Sequence, residues 1–436
     1  MISQQSTPIK TMLLSFIVCQ FTVSIATSQD LSKPQQPTIE LLTELPEAAA
    51  LTPAPTSIES SISAQPVPKV FRPQSDTLSG SDPHPGAARP DYLETVPGMD
   101  SGVKITRISQ NLDFGVHSYS KRQAWNADET KIDISRKILD VENNYKVLET
   151  HPLSGERNWS NINPNVLYGL SRNPTKLNTF SKYNISTGKV THLREFIVYE
   201  SCTIGDYEGS LSVDDNYVLL ACKNSNGKKE LVSYDIANNE VLGKISAASD
   251  FNWGSFAQSG KYIIVENNAP GQNKKRELVR YDKNLENKKV ILDTSEHGDL
   301  GLDDNGDDVY VFMAWDIISY VRLRDGALTE LSITNRAGNG HVSCRAIKRP
   351  GWCYISTRNQ HQRIAAVKIS EKDSVVEVWG FSKSSSHNYD AQPKASVSPS
   401  GRKIIFSSDW WKNLNQNTPH PGGGGNPNEY VLELTD

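Results

Sequence analysis

The sequence predicts an all-β fold, a seven-bladed β-propeller preceded by a disordered leader, and three observations lead there. First, a short strand, a tight polar or glycine-containing turn and a second strand rich in β-branched and aromatic residues recur after residue 100. Second, the turns of the copies fall at Glu129, Asn165, Asn216, Gly260, Gly306, Gly351 and Gly401, a mean step of (401 − 129)/6, about 45 residues. That is the length of a four-stranded blade. Third, the chain ends in "EYVLELTD", a third strand with no fourth after it, while "GVKITRIS" at 102–109 precedes the first copy with nothing to pair. Joining the two ends in one sheet completes the last blade and removes an open edge.

Each segment has its own grounds. "MISQQSTPIKTMLLSFIVCQFTVSIATSQD" carries one Lys, an apolar run from Met12 to Ile25 interrupted by Gln20, and the small residues Ala26-Thr27-Ser28. This is the pattern of a secretory signal peptide over 1–28, too short and polar for a membrane anchor. Residues 29–100 hold 12 of the 23 prolines, between Ser, Thr, Ala and Gln. Such a stretch buries too little apolar surface to order itself, so it reads as a leader. The propeller then spans 101–436. Between the inner hairpins, stretches such as "ELVSYDIANNEVLGKIS" and "IISYVRLRDGALTELS" supply the outer strands of the blades.

A net charge of −4 gives no electrostatic case for a nucleic-acid or anionic-membrane partner. Loss of the signal removes Cys19 and leaves Cys202, Cys222, Cys344 and Cys353 in an oxidising compartment, where two disulfides are expected. Cys344 and Cys353 fall opposite each other across a two-residue turn at Lys348 and Arg349. Cys202 and Cys222 flank the third hairpin, where Cys222 is expected to face Glu208; a disulfide is still preferred to two free thiols. Neither pair has zinc-finger spacing.

The stretch "SVSPSGRKIIFSSDW" resembles the Ser-Pro-Asp-Gly-Lys hairpin of TolB-type, WD-repeat-like propellers, a likeness that covers 100–436 as a blade pattern. Similar hairpins occur in secreted polysaccharide lyases of the oligogalacturonate lyase and ulvan lyase type. The resemblance is specific for the fold only. The signal segment implies a secreted or periplasmic protein, and the residues at the channel mouth point to a polysaccharide or oligosaccharide as the partner of what is expected to be a monomer. The hairpin contains no functional residue, so the site is read from blade position and residue type.

Counting about nine residues back from each turn reaches the mouth of the channel at Ser120, Arg157, Glu208, Asn252, His297, His341 and Gln392, with His117 and His387 slightly earlier. Asp299, Ser343, Arg345 and Tyr389 follow the three histidines by two or four residues. Elimination from a uronate needs a base, a proton donor and a cation for the enolate, which points to His297, His341, Tyr389 and Arg345 as catalytic residues. Arg157, Glu208, Asn252, Trp253 and Trp410 are the expected substrate-binding set, with Trp159 as a further stacking candidate. In a second variant His297, His341, His387 and Gln392 hold a divalent metal, manganese, calcium or zinc. The positive charge for a uronate rests on Arg157, Arg345 and Arg122. The rival reading is a non-catalytic extracellular or periplasmic propeller that binds a glycan or protein, with structural histidines.

The acidic run "DDNGDD" at 303–308 reads as the turn of the fifth blade, since it lacks the spacing of a calcium loop. "PHPGGGGNPN" at 419–428 reads as a loop over one face. Asn158-Trp-Ser and Asn184-Ile-Ser would be glycan acceptors in a eukaryotic source.

Overall fold

The computed structural model describes residues 74–75, 87–98, 102–110, 117 and 119–435, except 174, 269–275, 295, 315–316, 332, 334–339, 359–361, 387–388 and 411–426. The signal segment, His387, Trp411 and most of the 419–428 loop lie outside the described residues. The fold is all-β: antiparallel units follow one another along the chain, and the only helical turn among the described residues is Gly205–Tyr207.

The first unit is Lys131–Ile134, Lys137–Asp140 and Lys146–Thr150, with Trp125 bridged to Ile132. Next come Ser154–Trp159, Val166–Asn173, Lys176–Asn184 and Lys189–Glu195, then Tyr199–Ile204, Tyr217–Asn224, Lys229–Asp235 and Glu240–Ser246. A single parallel contact, Ser201 to Leu177, joins these two into one eight-stranded sheet. Four-stranded sheets follow at Phe251–Leu292 and Gly298–Glu330, and a further sheet at Gly340–Phe381. In the last sheet Asn428–Leu434 pairs with Lys403–Ser408 on one side and with Val103–Arg107 on the other, the pairing of the two ends that their unmatched strands predict.

Two short strands fall inside the stretch read as leader. Gln74–Ser75 pairs with Val376 and Glu377 at a sheet edge, and Thr95–Pro97 pairs with Lys104–Thr106. Each covers an edge strand whose backbone groups would otherwise be open. Composition does not register this, because the pairing uses backbone rather than side chains.

Side chains alternate, so apolar rows from one sheet meet rows from the next. Val309, Val311 and Ile318 cluster with Val342, Ile355 and Val367. Trp253, Ile264 and Leu278 cluster with Leu300, Tyr310 and Val321. Ile132 and Leu139 meet Ile405 and Val431 from the far end of the chain.

A polar segment, Tyr119–Gln123, connects units remote in sequence. Its Lys121 carbonyl accepts from Ser210 Oγ at 3.1 Å, its Arg122 carbonyl accepts from Ser396 Oγ at 2.7 Å, and Gln123 Nε2 donates to the Arg345 carbonyl at 3.0 Å.

Both disulfides are present, Cys202–Cys222 and Cys344–Cys353. Two details differ from expectation. Cys222 faces Cys202, not Glu208, because the strand leaves the ladder after Ile204 pairs with Leu220 and rejoins it only at Ser212 and Tyr217. The turn between Cys344 and Cys353 is also wider than two residues, running over 347–351 with Gly351 at φ 78°.

Candidate functional site

The ends of several strands carry an unusual concentration of charge. His341 lies in Gly340–Ser343, opposite Ser356 of the neighbouring strand, so Arg358, two residues further on, reaches the same end. His297 immediately precedes Gly298–Leu302, and its ring lies 6.2 Å from that of His341. Arg276 opens the third strand of the preceding sheet, beside Asn268, and Asn252 and Glu266 sit at the same end of that sheet. A register shift between Phe251 and Trp253 leaves Asn252 outside the regular pairing, which turns its side chain onto Glu266 at 2.6 Å. The Tyr119–Gln123 segment adds Tyr119 and Lys121.

The two imidazoles are held in the same way. Arg358 Nη2 donates to His341 Nε2 at 2.9 Å, and Arg276 Nη1 donates to His297 Nδ1 at 3.3 Å. An arginine has only protons to offer, so each contacted ring nitrogen is the acceptor and the other carries the hydrogen. Burial, reinforced by Lys121, Arg276 and Arg358, pushes His297 down to about 3. His341, 1% exposed, lies well below the ordinary value for the same reason, with Arg358 the strongest neighbouring charge. Both rings are therefore neutral at pH 7.

Aromatic and acidic groups complete the cluster. Tyr119 meets His341 edge to face at 5.3 Å and stacks parallel to Tyr389 at 6.5 Å. Tyr389 is 57% exposed, and its hydroxyl pKa is raised to about 12 by burial of the oxygen and by Glu208. Lys121 pairs with Glu208 at 2.8 Å and lies 4.1 Å over the Trp253 ring. Arg276 reaches Glu266 at 3.6 Å. Lys394, which acts on His341 and lies 4.1 Å over the Tyr389 ring, joins Lys121, Arg276 and Arg358, so these four cations outnumber Glu208, Glu266 and Asp390 around neutral histidines in a chain that is acidic overall.

The structure brings His297, His341, Tyr389, Glu208, Asn252 and Trp253 into this region and removes others from it. Arg345 is not a mouth residue: it is 6% exposed and forms a two-pronged ion pair with Asp299, Nε and Nη2 each at 3.0 Å. Arg157 is likewise taken, by Asp133 at 2.8 Å, with His151 on the same carboxylate at 3.3 Å. Arg122 is buried, its pKa lowered to about 10 by desolvation, and donates to the Arg157 carbonyl. Trp410, 2% exposed, donates to the Ala87 carbonyl and packs on Tyr430; Trp159, also 2% exposed, donates to the Ala124 carbonyl. Trp253 is 2% exposed too, so none of the three offers a face to a sugar. Their indoles fill the gaps between sheets instead. His117 is fully buried on Glu429 at 2.6 Å, and Asn158 is buried with its amide on the Gly209 carbonyl, which closes that glycan acceptor.

Sequence reasoning missed Lys121, Arg276 and Arg358. Counting back from each turn finds residues that begin a first strand, whereas Arg358 follows a second strand and Arg276 begins a third. Those positions share the same end of the sheet, so extending the count outward along the second strand would have found them.

The expected metal ligands fare differently. No group of three or more His, Cys, Asp or Glu suited to a metal forms among the described residues, and His387 lies outside them. The acceptor nitrogens of His297 and His341 are occupied by guanidinium groups, and four cations, Lys121, Arg276, Arg358 and Lys394, act on the rings. Among the described residues this set does not fit a divalent cation.

No family model matches the chain, and no curated protein matches it. Among solved structures, an oligogalacturonate lyase in complex with manganese is similar over 79% of this chain and 96% of its own, at 11% identity and a TM-score of 0.55. The chain shares the β-propeller fold of oligogalacturonate lyase. A second oligogalacturonate lyase, from Vibrio parahaemolyticus, matches over 78% of this chain and 96% of its own, at 14% identity and a TM-score of 0.53. TolB from Acinetobacter baumannii is similar over 69% and 76%, at 12% identity and a TM-score of 0.37. For the two lyases, at these identities, the likeness speaks for the fold alone. The two disulfides fit an oxidising compartment, and no helix among the described residues is long and apolar enough to cross a membrane.

Proposed function

We propose that this protein is a secreted or periplasmic monomer, a seven-bladed propeller closed by its N-terminal strand, that binds a uronate-containing polysaccharide or oligosaccharide and cleaves it by β-elimination. The observation that carries the reading is the pair of neutral imidazoles, His297 and His341, each under an arginine.

A uronate carboxylate matches the guanidinium fork bidentately and outcompetes a neutral ring nitrogen for it. When Arg358 or Arg276 turns to the carboxylate, an imidazole lone pair is released beside the substrate. That imidazole takes the proton from the carbon α to the carboxylate. The electron pair of that C–H bond becomes the new double bond as the glycosidic C–O bond on the β carbon breaks. Tyr389, protonated near pH 7, gives its proton to the leaving oxygen, and the arginine stabilises the enolate charge in between.

A second reading has an observation in its favour. With both acceptor nitrogens engaged by arginine, the rings are poor bases, which favours a site that binds an anionic glycan or protein without turnover. Ultraviolet absorbance separates the two, because elimination leaves a conjugated uronate. Full-length protein incubated with oligogalacturonate is expected to raise the absorbance, and His341→Ala and Arg358→Gln are expected to abolish the rise. Binding without any rise supports the second reading, and no binding of any uronate polysaccharide removes the lyase reading and leaves the second only with a protein or another anionic glycan as its partner.

A further inference from the structure

The cluster has a neighbour that neither reading uses. Gly205, Asp206 and Tyr207 are three consecutive residues with left-handed φ, at 57°, 58° and 85°. For Asp and particularly for Tyr this backbone is disfavoured by the clash of Cβ with its own peptide groups, and it persists only where surroundings enforce it. They do so here. Asp206 is paired with Lys229 at 2.5 Å, and the Gly209 amide closes onto the Ile204 carbonyl at 3.2 Å. A Cβ at Gly205 would meet the Gly254 carbonyl at 1.9 Å, so only glycine fits the first position.

The consequence is where Tyr207 ends up: 64% exposed, directly before Glu208. Glu208 holds Lys121 and acts electrostatically on both Tyr119 and Tyr389. Glu208 therefore acts on the half-exposed Tyr389 and is the chain neighbour of the exposed Tyr207. A large aromatic ring left in water on this turn offers a face on which a sugar ring can stack.

We infer that Tyr207 is a stacking platform for the pyranose ring adjacent to the uronate held by the arginines, so that the site recognises at least two linked rings. The inference rests on the proposed uronate site and deepens it. Tyr207 sets preference for chain length, while Arg276 and Arg358 set preference for charge. The Asp206–Lys229 pair holds the turn that carries the ring.

The test is calorimetric titration of the full chain with galacturonate oligomers of one to four rings, for wild type, Tyr207→Ala and Tyr207→Phe. Wild type is expected to bind the longer oligomers more tightly than the monomer. Tyr207→Ala should reduce that gain about tenfold, and Tyr207→Phe, which keeps the ring, should restore it. A gain unchanged in Tyr207→Ala, or equal losses for every length including the monomer, would overturn the role while leaving the uronate site standing. Wild type that binds no uronate of any length would instead overturn the site and this inference with it. Circular dichroism of each variant separates lost stacking from lost folding.

Discussion

Arg358 Nη2 donates to His341 Nε2 at 2.9 Å, so the residue best placed to act as a base is capped by a cation. A guanidinium that contacts a neutral ring and lies within electrostatic reach of Tyr119 and Tyr389 is a natural receptor for a carboxylate. Arg358→Gln removes that charge while keeping a planar polar group. It is expected to weaken binding of uronate oligomers about 10- to 100-fold, equivalent to roughly 1.4–2.8 kcal/mol, and to leave binding of neutral oligosaccharides of the same length unchanged. Parallel calorimetric titrations check this.

The same arrangement fixes a pH dependence. His297 and His341 have folded pKa values below the unfolded value of 6.5, so below that pH the unfolded chain takes up protons that the folded chain refuses. Stability is therefore expected to fall as pH drops from 6.5 towards about 3, and to be independent of these two groups above pH 7. Asp215 acts in the opposite direction: burial raises it to about 6, so its contribution grows as pH falls towards 4. Urea unfolding of wild type and His341→Gln at pH 7 and pH 5 isolates the histidine term; the loss between the two pH values should be smaller in the variant.

Arg345 and Asp299 are a structural pair. Both are almost fully buried, and Asp299 also accepts from the Cys344 amide at 2.7 Å. Asp299→Asn leaves the arginine with an uncompensated buried charge, at a cost of about 3–5 kcal/mol. The expected signature is a lower unfolding midpoint with unchanged uronate affinity in the fraction that remains folded. A loss of affinity without loss of stability would return Arg345 to the site.

The disulfides are expected to differ in weight. On loop-closure grounds a separation of 20 residues stabilises by about 3.3 kcal/mol and a separation of 9 by about 2.6 kcal/mol, so Cys202–Cys222 should contribute more than Cys344–Cys353. Gly301 refines the comparison, because a Cβ there would sit 2.8 Å from Cys344 Cβ and 3.2 Å from Cys353 Sγ. Gly301→Ala should cost about 1–3 kcal/mol by overpacking, and less when both cysteines are alanine. Denaturant midpoints of the two double-cysteine variants, with and without Gly301→Ala, test both statements.

The sequence alone determined the β architecture, the recurrence of hairpins, the joining of the two chain ends and both cysteine pairs. Each of these is written in spacing along one strand or one turn, where alternation and turn residues act locally. Contact between His297 and His341 was also legible, because equivalent positions in successive units meet at one end. Only the tertiary structure decided what surrounds them. What an arginine is bound to depends on partners far away in sequence: Asp299 claims Arg345 across 46 residues, and Asp133 claims Arg157, while Arg276, shared with Glu266, and Arg358 reach the histidines. The tryptophans that looked like sugar platforms were drawn into the gaps between sheets, where burial of a large apolar ring outweighs exposure to a ligand. The ring left outside, Tyr207, was put there by three left-handed residues, a backbone feature that residue identity does not announce.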